Sequence, residues 1–281
     1  MAVNTAGGEH IPFMSDKELS IVAICIDPDL PILERFLSSV RQYCQCEYEL
    51  ILVDNAGENG ERSDFLKKNC DKYIRLAERV RVAEAWNFGI AAADGQYVLV
   101  TNDDVVVSRN WFALMKDVFV QNEKAGMVVP VMNHSVPEQT PRVDISHIDQ
   151  AHAERLTPFK QFVWGAFMLF SRDSLFRVNN FSLDYEIGGG EDLDMCFQMY
   201  ETGLDVYVDH RVFIYHEWGS TGLRILGAER RRELYEQSYV TFKKKWIKYT
   251  SEWDKPKGVS GTVTSAFAKF VSNVFGSRRT P

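Results

Sequence analysis

Three acidic clusters and one histidine stand out by residue type and spacing. Asn102-Asp103-Asp104 closes an apolar run at residues 97–101 (YVLVT). Adjacent carboxylates at such a place can hold Mg2+ or Mn2+, which take oxygen ligands and bind through one or two carboxylates plus substrate phosphates. A bound ion would be a Lewis acid toward a diphosphate leaving group. The same residues also suit a plain turn, because Asn and Asp side chains bond nearby backbone. Asp54-Asn55 ends a second apolar run, residues 48–53 (YELILV), and could recognise a base or ribose by hydrogen bonds. Glu191-Asp192-Leu193-Asp194 opens a helical stretch behind the triple glycine Gly188-Gly189-Gly190. One of its carboxylates could take a proton from an acceptor hydroxyl, or the cluster could simply complement the helix dipole. That dipole and a nearby metal should hold Asp192 ionised with a low pKa, leaving it a weak base that contributes mainly by positioning. Asp192 and Asp194, two apart on a helix, do not share a face. His216 ends residues 205–215 (DVYVDHRVFIY) and could complete a metal shell or make a structural hydrogen bond.

These residues need elements to hold them. Residues 19–26 (LSIVAICI) form a short, almost wholly apolar run, as expected of a strand buried on both faces of a parallel sheet. Residues 31–44 place Ile32, Leu33, Phe36, Leu37, Val40 and Tyr43 at helical spacing, with Pro31 suited to the first turn. Further strands are expected at 48–53, 72–77, 97–101, 126–132, 164–170 and 205–215, and helices at 81–93, 111–121, 191–202 and 228–246. Strand, helix, strand with short connections argues for a doubly wound α/β sheet. In such sheets ligands lie beyond the carboxyl ends of the strands, where Asp54-Asn55 and Asn102-Asp103-Asp104 fall. Residues 133–160 are polar, with Pro137, Pro141 and Pro158, and read as a long excursion over the site.

The chain has 281 residues, 45% hydrophobic and 25% charged, enough for one large α/β domain. Its net charge of −7 includes no dominant basic stripe, so no nucleic-acid partner is expected. An acidic protein handling an anionic nucleotide needs a local means of neutralising phosphate, and a carboxylate-held divalent cation is one. The five cysteines are odd in number and scattered, which reads as reduced, mostly buried thiols of a cytoplasmic protein. Cys44 and Cys46 lack a second pair, against a zinc site. The amino-terminal residues have no cationic start followed by an apolar run, so no signal peptide is expected. No stretch approaches ~18 apolar residues, so no membrane span is expected.

Together, in this order, the segments resemble glycosyltransferase family 2, the inverting transferases with the GT-A fold. The resemblance rests on Ile51-Leu52-Val53-Asp54-Asn55, on Asn87-Phe88-Gly89-Ile90 with Ala93-Asp94-Gly95, and on residues 98–104 ending in Asn102-Asp103-Asp104. It continues through residues 165–172, Glu191-Asp192-Leu193-Asp194 and the late His216, covering roughly residues 19–222. It implies a GT-A-type, mostly parallel central sheet flanked by helices, with a C-terminal helical tail. A flexible arm (1–18) would precede a transferase domain (19–250), made of a nucleotide-binding half (19–132), an acceptor and catalytic half (133–222) and a helical extension (223–250). A tail would follow (251–281).

Site by site, the resemblance implies that Asp54 binds the base or ribose, with Asn55 and Asn87 nearby. Asn102 and Asp103 belong to the donor-binding motif. Asp104 ligates Mn2+ or Mg2+, with His216 as second ligand or diphosphate contact. Asp192 is the general base, and Trp164, Gly165 and Glu191 lie on the acceptor side. Because Asn102 replaces the usual first carboxylate, Asp104 carries more weight as ligand. The implied reaction moves a sugar from a nucleotide diphosphate sugar to a hydroxyl of a glycan, lipid-linked or protein acceptor, inverting the anomeric carbon in one displacement.

Other classes fit these residues less well. A nicotinamide dehydrogenase needs Gly-x-Gly-x-x-Gly after the first strand, where this chain has Ile26-Asp27-Pro28-Asp29. A nucleotidyltransferase should show a Gly-rich loop with a basic residue there. A catalytically inactive partner subunit that only binds nucleotide or glycan stays open as the alternative. In the tail, Val263, Phe267, Phe270, Val271 and Val274 at helical spacing, before Arg278-Arg279, leave open a peripheral contact with a membrane or a partner.

Overall fold

Strand β1 (Leu19–Cys25) has every residue buried and runs parallel between β2 (Tyr48–Asp54) and β4 (Tyr97–Asn102). A run without a polar face requires cover on both sides, and each buried Val, Leu or Ile contributes about 1.5–3 kcal/mol. Its one polar residue, Ser20, donates to Glu49 Oε1 at 2.5 Å. The computed structural model describes residues 16–57, 60–186, 189–217 and 220–251. The arm (but for residues 16–18) and the tail beyond Ser251 lie outside these.

Helix α1 (Leu30–Tyr43) starts where the sequence requires: Asp29 accepts from the Ile32 amide and Pro31 occupies the first turn. The helix buries Leu33, Phe36, Leu37 and Val40 on one sheet face. On the other face, α3 (Val82–Ala91) brings in Ala85, Trp86 and Ile90. Helix α4 (Trp111–Gln121) falls at its expected place, with Trp111 and Met115 fully buried.

The sheet has nine strands in the order β3-β2-β1-β4-β8-β6-β9-β5, with β7 on β9. Strands β3 (Lys72–Arg75), β2, β1 and β4 are mutually parallel, and β6 (Ala125–Met132) is parallel to β9 (Asp205–His216). Between these blocks β8 (Phe167–Ser171) runs antiparallel to both β4 and β6. The short β5 (Val105–Val106) and β7 (Ala153–Arg155) are antiparallel to β9. The carboxyl ends of β1, β2, β4, β6 and β9 and the entry to β8 therefore share one sheet edge. The expected doubly wound architecture holds, mixed by the antiparallel β8, β5 and β7.

Several elements differ from the sequence reading. Helices α2 (Glu61–Lys68) and α5 (Arg172–Val178) were not expected, because both are short and carry only two and three buried residues. The excursion is not a bare loop. It holds 3-10 turns at Pro137–Gln139 and Ile145–Gln150 and then β7, which docks on β9. After α6 (Glu191–Glu201), the expected helix at 228–246 is part of a longer α7 (Ser220–Lys245), broken at Gly227 with φ 72°, and is followed by α8 (Ile247–Thr250). Among the described residues no helix is long and apolar enough to cross a membrane.

Candidate functional site

The sheet edge collects the acidic residues in two groups. In the first, β5 pairs with the end of β9 so that Val105 faces His216, and the Glu217 amide donates to the Asp104 carbonyl at 3.0 Å. This two-strand lock sets Asp104 Oδ1 3.1 Å from His216 Nε2. Asn102, at the end of β4, brings Nδ2 to 3.3 Å from the same ring nitrogen. The first residue of the excursion completes the mount: Asn133 Oδ1 accepts from the His216 amide at 2.8 Å and its Nδ2 donates to the His216 carbonyl at 3.0 Å. Asp104 Oδ1 is buried yet has no hydrogen-bond partner. An orphaned buried carboxylate oxygen beside an imidazole nitrogen is a donor pair that fits a divalent cation. Among the described residues no cluster of three or more His, Cys, Asp or Glu could hold a metal, so two such ligands would come from the chain and the remainder from substrate and solvent.

The second group sits at the start of α6. Gly165, just before β8, donates its amide to Asp192 Oδ2 at 2.9 Å. A Cβ at Gly165 would lie 2.9 Å from the Asp192 Cβ, so only glycine lets the strand approach. The next residue, Ala166, has its carbonyl bonded by the Asn102 amide at 3.1 Å and by Thr101 Oγ1 at 3.0 Å. The metal-type group and the α6 carboxylates are thus joined through two consecutive residues. Burial pushes the Asp192 carboxyl up, against the pull of the Leu193, Gly165 and Gly190 amides. The expectation is a carboxyl held low by the helix dipole and a nearby metal together; in the protein without an ion, desolvation outweighs the favourable backbone contacts. Glu191, also buried, is pushed up to about 8 by desolvation and then by the Asp192 charge, while its Oε2 accepts from the Gly189 amide at 2.5 Å. Asp194 points elsewhere, as helical spacing requires, toward Tyr185, Gln198, Lys245 and Trp246.

Other expected residues are occupied differently. Asp54 is 1% exposed and accepts from the Gly57 amide at 2.8 Å and from the Tyr73 hydroxyl at 2.5 Å. Asn55 makes a two-bond clamp on Val80, and Asn87 makes another on Phe181. Both side-chain amides bond backbone groups in the structure. Asp103 faces the buried Cys25 thiol, whose pKa burial and that carboxylate both raise. Trp164 is fixed by its backbone, its amide donating to Gln139 Oε1 at 2.6 Å. All five cysteines are free thiols.

Sequence reasoning missed Asn133, Gln139 and Arg81. The first two lie in a polar excursion where nothing marks one amide above another. Arg81, preceding α3, has its Nε buried without a hydrogen-bond partner and its guanidinium 3.4 Å from Glu186. An Arg among Arg79, Val80 and Val82 gives no periodic signal.

Fold and strand-edge site define a GT-A-type α/β protein. Residues 20–178 match the model of the family described as glycosyl transferase family 2. That is more than half of the chain, and the chain belongs to this family. Its fold is similar to a structure described as "Crystal structure of GalNAc-T7 with UDP, GalNAc and Mn2+", with a TM-score of 0.61 and 14% identity over 92% of this chain. The chain spans 55% of the length of that protein. No curated protein matches the chain.

Proposed function

We propose that the protein transfers a sugar from a nucleotide diphosphate sugar to an acceptor hydroxyl, with inversion at the anomeric carbon. The observation that carries this reading is that Asp104, with its orphaned carboxylate oxygen, and Asn102 meet at His216 Nε2, and that the Asn102 backbone bonds Ala166, the residue after the glycine that seats Asp192. Asp104 and His216 would hold Mn2+ or Mg2+, which when bound supplies Lewis-acid stabilisation of the departing diphosphate. Family membership and the UDP and Mn2+ of the structural neighbour support that donor class.

Within this reading Asp192 accepts the proton of the acceptor hydroxyl. A carboxyl raised by burial is a better base near neutral pH than an ordinary one, so Asp192 contributes proton transfer as well as position. Glu191 and Trp164 lie beside it on the acceptor side. Asp54, through Tyr73 and Gly57, shapes the end of β2 where the base or ribose would rest.

The test is release of nucleoside diphosphate from candidate donors with Mn2+, comparing wild type with Asp192→Asn. Wild type is expected to release product and the variant to be about 10²–10⁴-fold slower, with nucleotide binding unchanged. Nucleotide binding without release from any donor would favour the inactive partner subunit instead.

A further inference from the structure

Beyond the family match at 20–178, the C-terminal helix turns back onto the start of α6. Asp194 is fully buried, and a buried carboxylate persists only when its oxygens are satisfied. Its donors come from both ends of the molecule's late half. Tyr185 Oη reaches Oδ1 at 2.9 Å and Gln198 Nε2 reaches Oδ2 at 2.7 Å. From the end of α7 and the residue after it, Trp246 Nε1 reaches Oδ1 at 2.6 Å and Lys245 Nζ lies 3.0 Å and 3.1 Å from the two oxygens. Lys245 also pairs with Asp184 at 2.8 Å, in the loop that leads to α6.

The same helix touches the turn before Asp192. Gly189 and Gly190 have φ of +129° and +114°. A Cβ on Gly189 would lie 2.4 Å from the Tyr235 ring, and one on Gly190 would lie 2.6 Å from Tyr185. The first turn of α6 is therefore held from one side by the Gly165 amide and from the other by α7.

We infer that Lys245 and Trp246 are positioning residues for the proposed base: by saturating Asp194 they fix the turn that carries Asp192 against Gly165. The inference rests on the proposed transferase reading for its catalytic consequence, but its structural part is separable. The C-terminal helix thus acts on the proposed chemistry through the turn it holds. Small displacements of such groups carry large rate penalties.

The experiment uses Trp246→Phe, Lys245→Met, the double variant and Lys245→Arg as the conservative control. Phe retains the ring that packs beside Phe197, 5.5 Å away, and removes only the indole N–H. Two readouts are taken: hydrogen exchange of the Gly165 amide by NMR, and kcat with the donor KM. In the double variant, Gly165 exchange is expected to accelerate about tenfold or more while β1 amides keep their protection, and kcat to fall about tenfold with donor KM unchanged. Lys245→Arg should restore both. The inference is overturned if Gly165 protection and kcat stay at wild-type values, or if all core amides loosen together, which would make the contact purely structural. If wild type transfers no sugar, the exchange result still decides the anchoring, and only the transferase reading fails.

Discussion

Two strand ends look alike in sequence and behave differently in the structure. Asp54-Asn55 closes β2 and Asn102-Asp103-Asp104 closes β4, each an Asx cluster behind a buried strand. At the first, the polar atoms are consumed: Asp54 by Gly57 and Tyr73, Asn55 by both backbone groups of Val80. At the second, Asp104 Oδ1 is buried with no hydrogen-bond partner, facing a histidine from the far end of the sheet. A saturated end builds shape, whereas an unsaturated end stores binding capacity. What separates them is whether a distant strand, here β9, delivers a complementary group.

Substitution at both ends makes the contrast measurable. Asp104→Ala is expected to lower transfer by about 10²–10³-fold, since a metal at a developing charge supplies several kcal/mol. If Mn2+ with nucleoside diphosphate raises the melting temperature of the wild type, as the proposed site predicts, the variant should lose that rise. Asn55→Ala should do the opposite, leaving the Mn2+ response intact. It strands the partly buried amide and carbonyl of Val80, which water can reach in part, so the cost is about 1 kcal/mol and the melting temperature falls by a few degrees. Equal loss of the Mn2+ response in both variants would erase the distinction between the two ends.

The α6 carboxylates sharpen the comparison, because their burial is energetically unfavourable. Glu191 rises from 4.5 to about 8 in the fold. Between these values the native state holds a proton that the unfolded chain has lost, so this group's contribution to stability is full below about pH 4.5 and declines as pH rises toward 8. Glu191→Gln should remove that decline. In urea titrations the variant should gain on wild type as pH increases and exceed it at pH 8. Parallel curves for the two proteins would show that Glu191 is not desolvated as its position implies.

The parallel block and its edge were legible in sequence because their signals are local. An apolar seven-residue strand, a capped helix and a strand-end Asx cluster each fit in a short window. Asp104, Asp192 and His216 stood out for the same reason. What was not legible depends on partners far along the chain. Nothing near Asn87 announces that its amide clamps Phe181, 94 residues away, and nothing in the excursion marks Asn133 as the mount of His216. The desolvation that raises Asp192 has no sequence signal either, because the helix dipole is readable from a sequence and burial is not. The antiparallel β8 also escaped, since a fully apolar strand carries no sign of its direction.

The smallest expected effect lies where the excursion docks on β9, away from the proposed chemistry. His210, on β9, is 3% exposed, and both its ring nitrogens lack hydrogen-bond partners. The groups around it are Arg142, Glu154 and His152 from the excursion and β7, and Asp209 on its own strand. Burial, then the Arg142 charge, lowers its pKa below the ordinary 6.5, with Glu154 opposing at 3.6 Å. The native state therefore keeps His210 neutral where the unfolded chain protonates. This contribution to stability is present above about pH 6.5 and is lost as pH falls through that value. The direction is opposite to that of Glu191, so the two groups can be told apart in one pH series. His210→Leu should flatten the acid-side loss while leaving the alkaline side and the Mn2+ response unchanged. A variant with the same acid slope as wild type would assign that slope to other groups and leave the excursion without a titrating contact to β9.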